Sequence, residues 1–322
     1  MNAHVLRTAI IAVAALLWLG PARSAEPNWP DSLTIGTASS GGTYYVYGEG
    51  LAKILTAALD FPVTMLPTEG PAQNIELLEA GEAKLGFVTT GIALQAWNAT
   101  GMWSSRKPAR AMRAAFPMYD TPFHFLVLQD SGIRNIEAMS GKRVGVGPRG
   151  GTSAAYVPEF FAALKVPADL VYGDWSDLAA QMHGRSLDVL AVAAGVPFPS
   201  FIELEAKDLV QYISLTSKQI AALRLAMPEL TPSRIPAGTY PSLIRPYQTV
   251  GLYNFAVAHA DLPDDLVFRV VKAAFEHHEQ MMEVHAAAAA TVPANITRNT
   301  FLPLHPGAIR YYRQIGVAGL SD

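Results

Sequence analysis

Short apolar runs alternate along the chain with longer segments in which apolar residues recur every three or four positions. Leu33–Gly36 is such a run and indicates a strand, whereas Thr43–Leu59 places Tyr47, Leu51 and Ile54 on one face of a helix. This rhythm is typical of an α/β fold with a largely parallel sheet. Further strands are predicted at 62–66, 85–89, 123–128, 143–147, 170–172, 187–193, 209–213 and 250–258. Further helices are predicted at 71–81, 152–164, 176–183, from 217, at 263–289 and from 306.

The order of these elements predicts two α/β units that face each other like a clamshell. The apolar strands 123–128 and 250–258 are the expected crossings between the units, and the C-terminal helices are expected to pack back on the first unit. Residues 228–248, rich in Pro, Ser, Thr and Gly, are expected to form a loop. The predicted boundaries are 26–122 plus 250–322 for domain 1 and 123–249 for domain 2.

The N-terminus has the layout of a secretory signal peptide, predicted at 1–25. Arg7 gives a weakly basic start, 9–19 is an unbroken apolar run, and a region of mostly small residues follows, with cleavage expected after Ser24 or Ala25. The alternative is a retained membrane anchor. A signal peptide implies export, and we expect a periplasmic location.

Composition excludes several classes of function. Hydrophobic residues make up 50% and charged residues 16% of the chain, which favours a well-buried globular protein. The net charge is −3 and no basic block is present, which argues against nucleic acid as a partner. With 0 cysteines, the chain has no thiolate metal ligand and no cysteine nucleophile.

Signals for catalysis and for cofactors are weak. Ser40 lacks the Gly-x-Ser-x-Gly elbow of serine hydrolases, and no HExxH pattern is present. His277, His278 and His285 fall in one helical region and are interpreted as solvated or capping histidines. We therefore expect a protein that is not an enzyme and that has neither a metal nor a cofactor.

A Ser/Gly/Thr loop between the first strand and the first helix is the first candidate site. Its backbone N–H groups would be exposed at the positive end of a helix dipole, where anions bind. A tight turn with an N-cap is the alternative. No Gly-Lys-Ser/Thr follows, so a nucleotide P-loop is not indicated. The candidate residues are Ser39, Ser40, Gly42, Thr43 and Tyr44.

The start of the second unit repeats this arrangement of strand, glycines, hydroxyls and helix. Arg149 could pair with a carboxylate in a bidentate fork, or it could be a solvated loop residue. Two such loops, one in each domain, suit a ligand held in a cleft between the domains. The candidate residues here are Arg149, Gly150, Gly151, Thr152 and Ser153.

Further candidates lie at other strand ends that would face the same cleft. Gln73 and Asn74 could hydrogen-bond a ligand or simply cap a helix, and Thr89 and Thr90 end the third predicted strand. The segment from Gly195 to Phe198 could supply one wall.

Together these segments resemble the TAXI-type solute receptors of TRAP transporters. The resemblance runs in order over nearly the whole chain after the leader. It rests on IGTASSGGTYY at 35–45, NIELLEAGEAKLGFV at 74–88, DSGIRNIEAMSGKRVGVGPRGGTS at 130–153, LPDDLVFRVVKAAFE at 262–276 and PLHPGAIRYYRQIGV at 303–317.

The resemblance implies a two-domain periplasmic-binding-protein fold, a type II-like Venus flytrap with crossing hinge strands. It also implies a receptor that delivers a small carboxylate, of the amino-acid or dicarboxylate type, to an ion-gradient-driven TRAP permease. We expect the receptor to be a monomer. The chain departs from the family at Gln73, where Ser usually precedes the Asn, and at Thr89-Thr90-Gly91, where a Gln-Ser-Asp-like sequence is common. Alternatives are a binding protein of an ABC importer, a ligand-sensing partner of a membrane histidine kinase, and an enzyme on the same fold.

Overall fold

The computed structural model describes residues 28–317, so the predicted signal peptide lies outside the described residues. The strands are β1 Leu33–Gly36, β2 Val63–Leu66, β3 Leu85–Thr89, β4 Met112–Leu128, β5 Arg143–Gly145, β6 Asp169–Val171, β7 Val189–Ala193, β8 Val210–Ile213, β9 Thr231–Ile235 and β10 Tyr247–His259. The helices are α1 Thr43–Leu59, α2 Pro71–Glu79, α3 Thr90–Asn98, α4 Thr152–Leu164, α5 Trp175–His183, α6 Pro199–Glu205, α7 Ser217–Ala226, α8 Asp264–Glu276, α9 His278–Val284 and α10 Pro306–Gln314. Among these helices, none is long and apolar enough to cross a bilayer.

The strands form one continuous curled sheet in the order β2-β1-β3-β10-β4-β7-β5-β6, with β8 beside β4 and β9 beside β10. The pairs β1–β2, β1–β3, β5–β6 and β5–β7 are parallel, and the long strands β4 and β10 run antiparallel to their neighbours. This confirms the predicted α/β class.

Strand β4 changes partners in the middle of its length. It pairs with β10 through Pro122 and with β7 from Phe123 onward, so one strand belongs to both halves of the sheet. We call the part around β1, β2 and β3 the first half and the part around β5, β6 and β7 the second half. The domain boundaries given above stay a prediction.

Some elements differ from the predictions. Residues 228–248 contain β9, which pairs antiparallel with β10 although it includes Pro232. Among the described strands, β9 pairs only with β10, so its other edge has no partner strand. A proline, which lacks a backbone N–H, costs the sheet no hydrogen bond on such an edge. The predicted helix 263–289 is broken near His277 into α8 and α9, and α3 was not predicted.

The aromatic core of the first half fixes helix α1 on the sheet. The Tyr47 ring lies 5.7 Å from that of Phe87 and 5.3 Å from that of Tyr119, with centroids in edge-on arrangements. All three rings are at most 1% exposed. This packing holds the N-terminus of α1, and with it the first glycine loop, at the carboxyl end of β1.

Candidate functional site

A small cavity of about 50 Å³ lies between the two halves of the sheet, next to the carboxyl ends of β1, β3 and β7. This is where ligands bind in open α/β sheets. Its lining residues are Ala38, Gly42, Thr43, Tyr44, Glu69, Gly70, Pro71, Thr89, Thr121, Gly151, Thr152, Ser153, Trp175, Ala193, Ala194, Gly195, Phe198 and Asn254.

Helices α1, α2, α3 and α4 all begin at this cavity, and no side chain among residues 28–317 caps any of them. Their N-cap residues, which all line it, are Gly42, Gly70, Thr89 and Gly151. Helix α7, which begins elsewhere, has instead a complete capping box between Thr216 and Gln219. The first N–H groups of a helix lack intrahelical partners, and the helix dipole adds positive potential there. The cavity is therefore surrounded by positive helix ends that no described side chain caps.

The amides best placed to bind an anion belong to α1 and α4. Within residues 28–317, the N–H groups of Thr43, Tyr44, Thr152 and Ser153 have no hydrogen-bond acceptor. A carboxylate, sulfonate or phosphate oxygen would supply the missing acceptors.

The hydroxyl groups of the lining close the cleft. Thr43 Oγ1 donates to the Gly195 carbonyl oxygen at 2.7 Å, and the hydroxyls of Thr89 and Thr152 are 3.2 Å apart. Both contacts join the first half to the second. They show the protein with its two halves closed on each other.

Backbone contacts at the rim add to this closure. Gly150 is held twice: its N–H donates to Glu69 Oε2 at 3.0 Å, and its carbonyl oxygen accepts from the Ala72 N–H at 3.0 Å. On another side, His285 Nε2 lies 2.9 Å from the Pro197 carbonyl oxygen. Burial lowers the pKa of His285, so the neutral ring donates here.

A buried polar floor joins α1 to the crossing strands. The Tyr44 hydroxyl donates to Asn254 Oδ1 at 2.6 Å, and Asn254 Nδ2 donates to the Tyr119 carbonyl oxygen and to Thr121 Oγ1. Burial raises the pKa of Tyr44, which keeps it a neutral donor. Asn254 and Thr121 were not among the residues predicted from the sequence, although an Asn in the otherwise apolar run 250–258 was a usable signal.

One wall is aromatic and lies against both glycine loops. The Trp175 and Phe198 rings are 5.2 Å apart and edge-on. A Cβ on Gly42 would lie 3.4 Å from Trp175 Cδ1, and one on Gly147 would lie 2.7 Å from Trp175 Cε2. Gly147 has φ +76°, so both its backbone conformation and this close approach require glycine. Phe198 was among the predicted residues, whereas Trp175 was not.

The structure brings some of the predicted site residues together at the cavity and places others away from it. Those that line it are Gly42, Thr43, Tyr44, Thr89, Gly151, Thr152, Ser153, Gly195 and Phe198. Those outside its lining are Ser39, Ser40, Gln73, Asn74, Thr90, Arg149 and Gly150.

Two of these outer residues have clear structural roles. Asn74 is fully buried, and its Nδ2 donates at 2.8 Å to the carbonyl oxygens of Thr37 and Phe87, which ties α2 to two strand ends. The Arg149 guanidinium lies 4.1 Å from the Tyr172 ring centroid and is stacked on that ring rather than directed into the cavity. Arg149 thus lies outside the cavity lining, and its pairing with a ligand carboxylate stays a prediction.

Comparison with known families agrees with this architecture. The profile of the NMT1-like family matches residues 35–316, which include both glycine loops and the crossing strands. The chain belongs to the NMT1-like family. Within the described part of this NMT1-like chain, no group of three or more His, Asp or Glu side chains is placed to hold a metal ion.

Solved structures show the same fold at low sequence identity. MatC from Rhodopseudomonas palustris with bound malate has a TM-score of 0.58 at 13% identity, covering 90% of this chain and 98% of that one. An ancestral arginine-binding protein bound to arginine has a TM-score of 0.51 at 14% identity, covering 80% and 97%. The alkanesulfonate-binding protein SsuA from Xanthomonas axonopodis pv. citri bound to MOPS has a TM-score of 0.50 at 15% identity, covering 89% and 91%.

These neighbours establish the fold of the NMT1-like chain. It is the two-domain fold of periplasmic substrate-binding proteins, as the resemblance implied. Two of these neighbours are named as binding proteins, one for arginine and one for alkanesulfonates.

Proposed function

We propose that this chain is a periplasmic solute receptor of the TAXI type that captures a small carboxylate for an ion-gradient-driven TRAP permease. The observation that carries the proposal is the pair of uncapped helix N-termini, α1 and α4, that face one cavity from opposite halves of the sheet. A small anion between them satisfies donors on both sides at once.

The proposed mechanism is closure around the ligand. One carboxylate oxygen accepts from the amides of Thr43 and Tyr44, and the other accepts from those of Thr152 and Ser153. An anion that contacts both halves binds the closed form more tightly than the open form, so it shifts the population toward closure. The bending takes place in β4 and β10, the strands shared by both halves. The permease then recognises the closed form.

A thermal-shift screen tests the ligand class. Carboxylates, amino acids, sulfonates, phosphate and neutral sugars are added to the purified mature chain, and a ligand at 100 times its Kd should stabilise the protein by about 2.7 kcal/mol. We expect small carboxylates to raise the melting temperature. A response to neutral sugars alone would contradict the role of the helix ends.

The type of partner is tested by transport. The chain is co-expressed with the membrane proteins encoded next to it, and uptake of the ligand found by the screen is followed in membrane vesicles loaded with receptor. Uptake by a TRAP permease should stop when the ion gradient is collapsed and persist without ATP. An ATP requirement would point to an ABC importer, and no uptake with capture of a histidine kinase would point to sensing.

A further inference from the structure

The charge around the cavity is unusual for a site proposed to bind anions. Among the lining residues, all of which are described, Glu69 carries the only formal charge, and no Lys, Arg or His is present. An anion in this cavity is therefore met by helix N-termini, amides and hydroxyls, and it lies near one fixed carboxylate.

Glu69 is held in place at the rim of the cavity. Its Oε2 accepts from the Gly150 N–H at 3.0 Å, and its own N–H donates to Gln73 Oε1 at 2.7 Å. A Cβ on Gly150 would lie only 2.9 Å from Glu69 Cβ, so the second half packs directly against this side chain. Closure thus places the carboxylate of Glu69, an exposed residue, at the rim of the cavity.

The donors suffice for one carboxylate. The free amides of Thr43, Tyr44, Thr152 and Ser153 can satisfy one carboxylate group, and each helix N-terminus carries roughly half a positive charge. The Thr43 hydroxyl is already committed to the Gly195 carbonyl oxygen. A second carboxylate on the same ligand would find no cationic side chain among the described lining residues and would lie near Glu69.

We propose that the cavity selects compact monoanions and that Glu69 is the residue that rejects dianions. This inference rests on the proposed function and names its ligand class: a carboxylate on a small body without a second ionised acid. The volume of about 50 Å³ is well below the ~150 Å³ of an engineered cavity that binds benzene, which favours a short body. The Trp175 and Phe198 rings supply an apolar wall for that body.

Pairs of ligands that differ only in one charge test the proposal. Oxalate and oxamate, malonate and malonamate, and succinate and succinamate have nearly the same shape, but the second member of each pair has a neutral amide in place of one carboxylate. Titration calorimetry at pH 8 and low salt, where charge effects are least screened, gives the ratio of the two dissociation constants. We expect the monoamide to bind at least tenfold more tightly, a difference of about 1.4 kcal/mol.

Glu69→Gln assigns the selectivity to one side chain. Gln keeps an oxygen that can accept from the Gly150 N–H. Any effect of the substitution on closure applies equally to the dicarboxylate and to its monoamide, so it cancels in the ratio of their dissociation constants. We expect the ratio to fall to about threefold or less, mainly through tighter binding of the dianion. Glu49→Gln is the matched control, because it removes the same charge from an exposed site on α1, where Glu49 pairs with Lys53. This control should leave the ratio unchanged.

The outcomes separate the two proposals. Binding of dianions as tightly as their monoamides to the unaltered protein would overturn the selectivity and leave the receptor function standing. Equal changes of the ratio in Glu69→Gln and Glu49→Gln would overturn the assignment to Glu69. If no carboxylate of the pairs or of the screen binds, the proposed function fails and the inference falls with it.

Discussion

Replacing Gly195 by Ala should weaken ligand binding without unfolding the protein. An added Cβ would lie 2.5 Å from Tyr119 Cε2 and 3.0 Å from Thr43 Cγ2, both in the first half, whereas ordinary carbon contacts are ~3.5–4.0 Å. Moving the two halves apart by about 1 Å would relieve this overlap, but it would break the 2.7 Å hydrogen bond from Thr43 Oγ1 to the Gly195 carbonyl oxygen. Overpacking costs about 1–3 kcal/mol. If the halves must close to bind, the same energy weakens affinity about 5- to 150-fold.

Titration calorimetry with the carboxylate found by the screen measures this loss, and small-angle scattering shows whether the variant closes on addition of ligand. Gly184→Ala is the matched control, since Gly184 lies at the exposed end of α5, outside the cavity lining. The melting temperature without ligand should change little in either variant, because the clash disappears when the halves separate. Native affinity in Gly195→Ala would refute the reasoning, since the ligand-bound form would then differ from the closed geometry seen here.

Three further substitutions separate structural roles from binding roles. Asn74→Ala should lower the free energy of unfolding by about 2–4 kcal/mol in urea titrations, because two buried carbonyl oxygens lose their donor; unchanged stability would contradict this role. Arg149→Gln should leave ligand affinity within about twofold by calorimetry, because the Arg149 guanidinium stacks on Tyr172. A tenfold loss of affinity would instead support the bidentate pairing of Arg149 with the ligand carboxylate. Burial lowers the pKa of His124 to about 4, below the 6.5 of an unfolded chain. Between pH 6.5 and 4 the unfolded chain therefore binds more protons, and stability should fall by about 3 kcal/mol as pH decreases through this range. His124→Gln should flatten that slope in urea titrations at pH 7, 5 and 4, and an unaltered slope would place the proton uptake elsewhere.

Local signals in the sequence were enough to locate both glycine loops. A strand, a cluster of glycines and hydroxyls, and a helix follow one another within a few residues, so the sites at Gly42 and Gly151 depend only on neighbours in the chain. The helices α1 and α4 begin and end as predicted. The long apolar strands were found for the same reason, though as shorter segments.

The residues that were missed depend on which faces meet in the folded chain. Trp175 reaches the cavity because α5 lies beside both glycine loops, and Asn254 reaches it because β10 crosses beneath α1. Neither relation is local in sequence. A contact that is likewise not local involves Arg149, whose residue type suits a carboxylate but whose guanidinium stacks on the Tyr172 ring, more than twenty residues away in the chain.

The aromatic wall of the cavity is connected to a crossing strand by a chain of buried hydrogen bonds. The Phe198 N–H donates to the Tyr240 hydroxyl oxygen at 2.8 Å, and that hydroxyl lies 2.9 Å from His124 Nε2. His124 Nδ1 lies 3.0 Å from the Pro122 carbonyl oxygen, which can only accept, so Nδ1 carries the proton and Nε2 accepts from Tyr240. Each donor in this series of hydrogen bonds thus has one acceptor. Because Pro122 is where β4 leaves β10 for β7, the wall and the expected hinge share one satisfied network, and burial of His124 in its neutral form keeps that network intact.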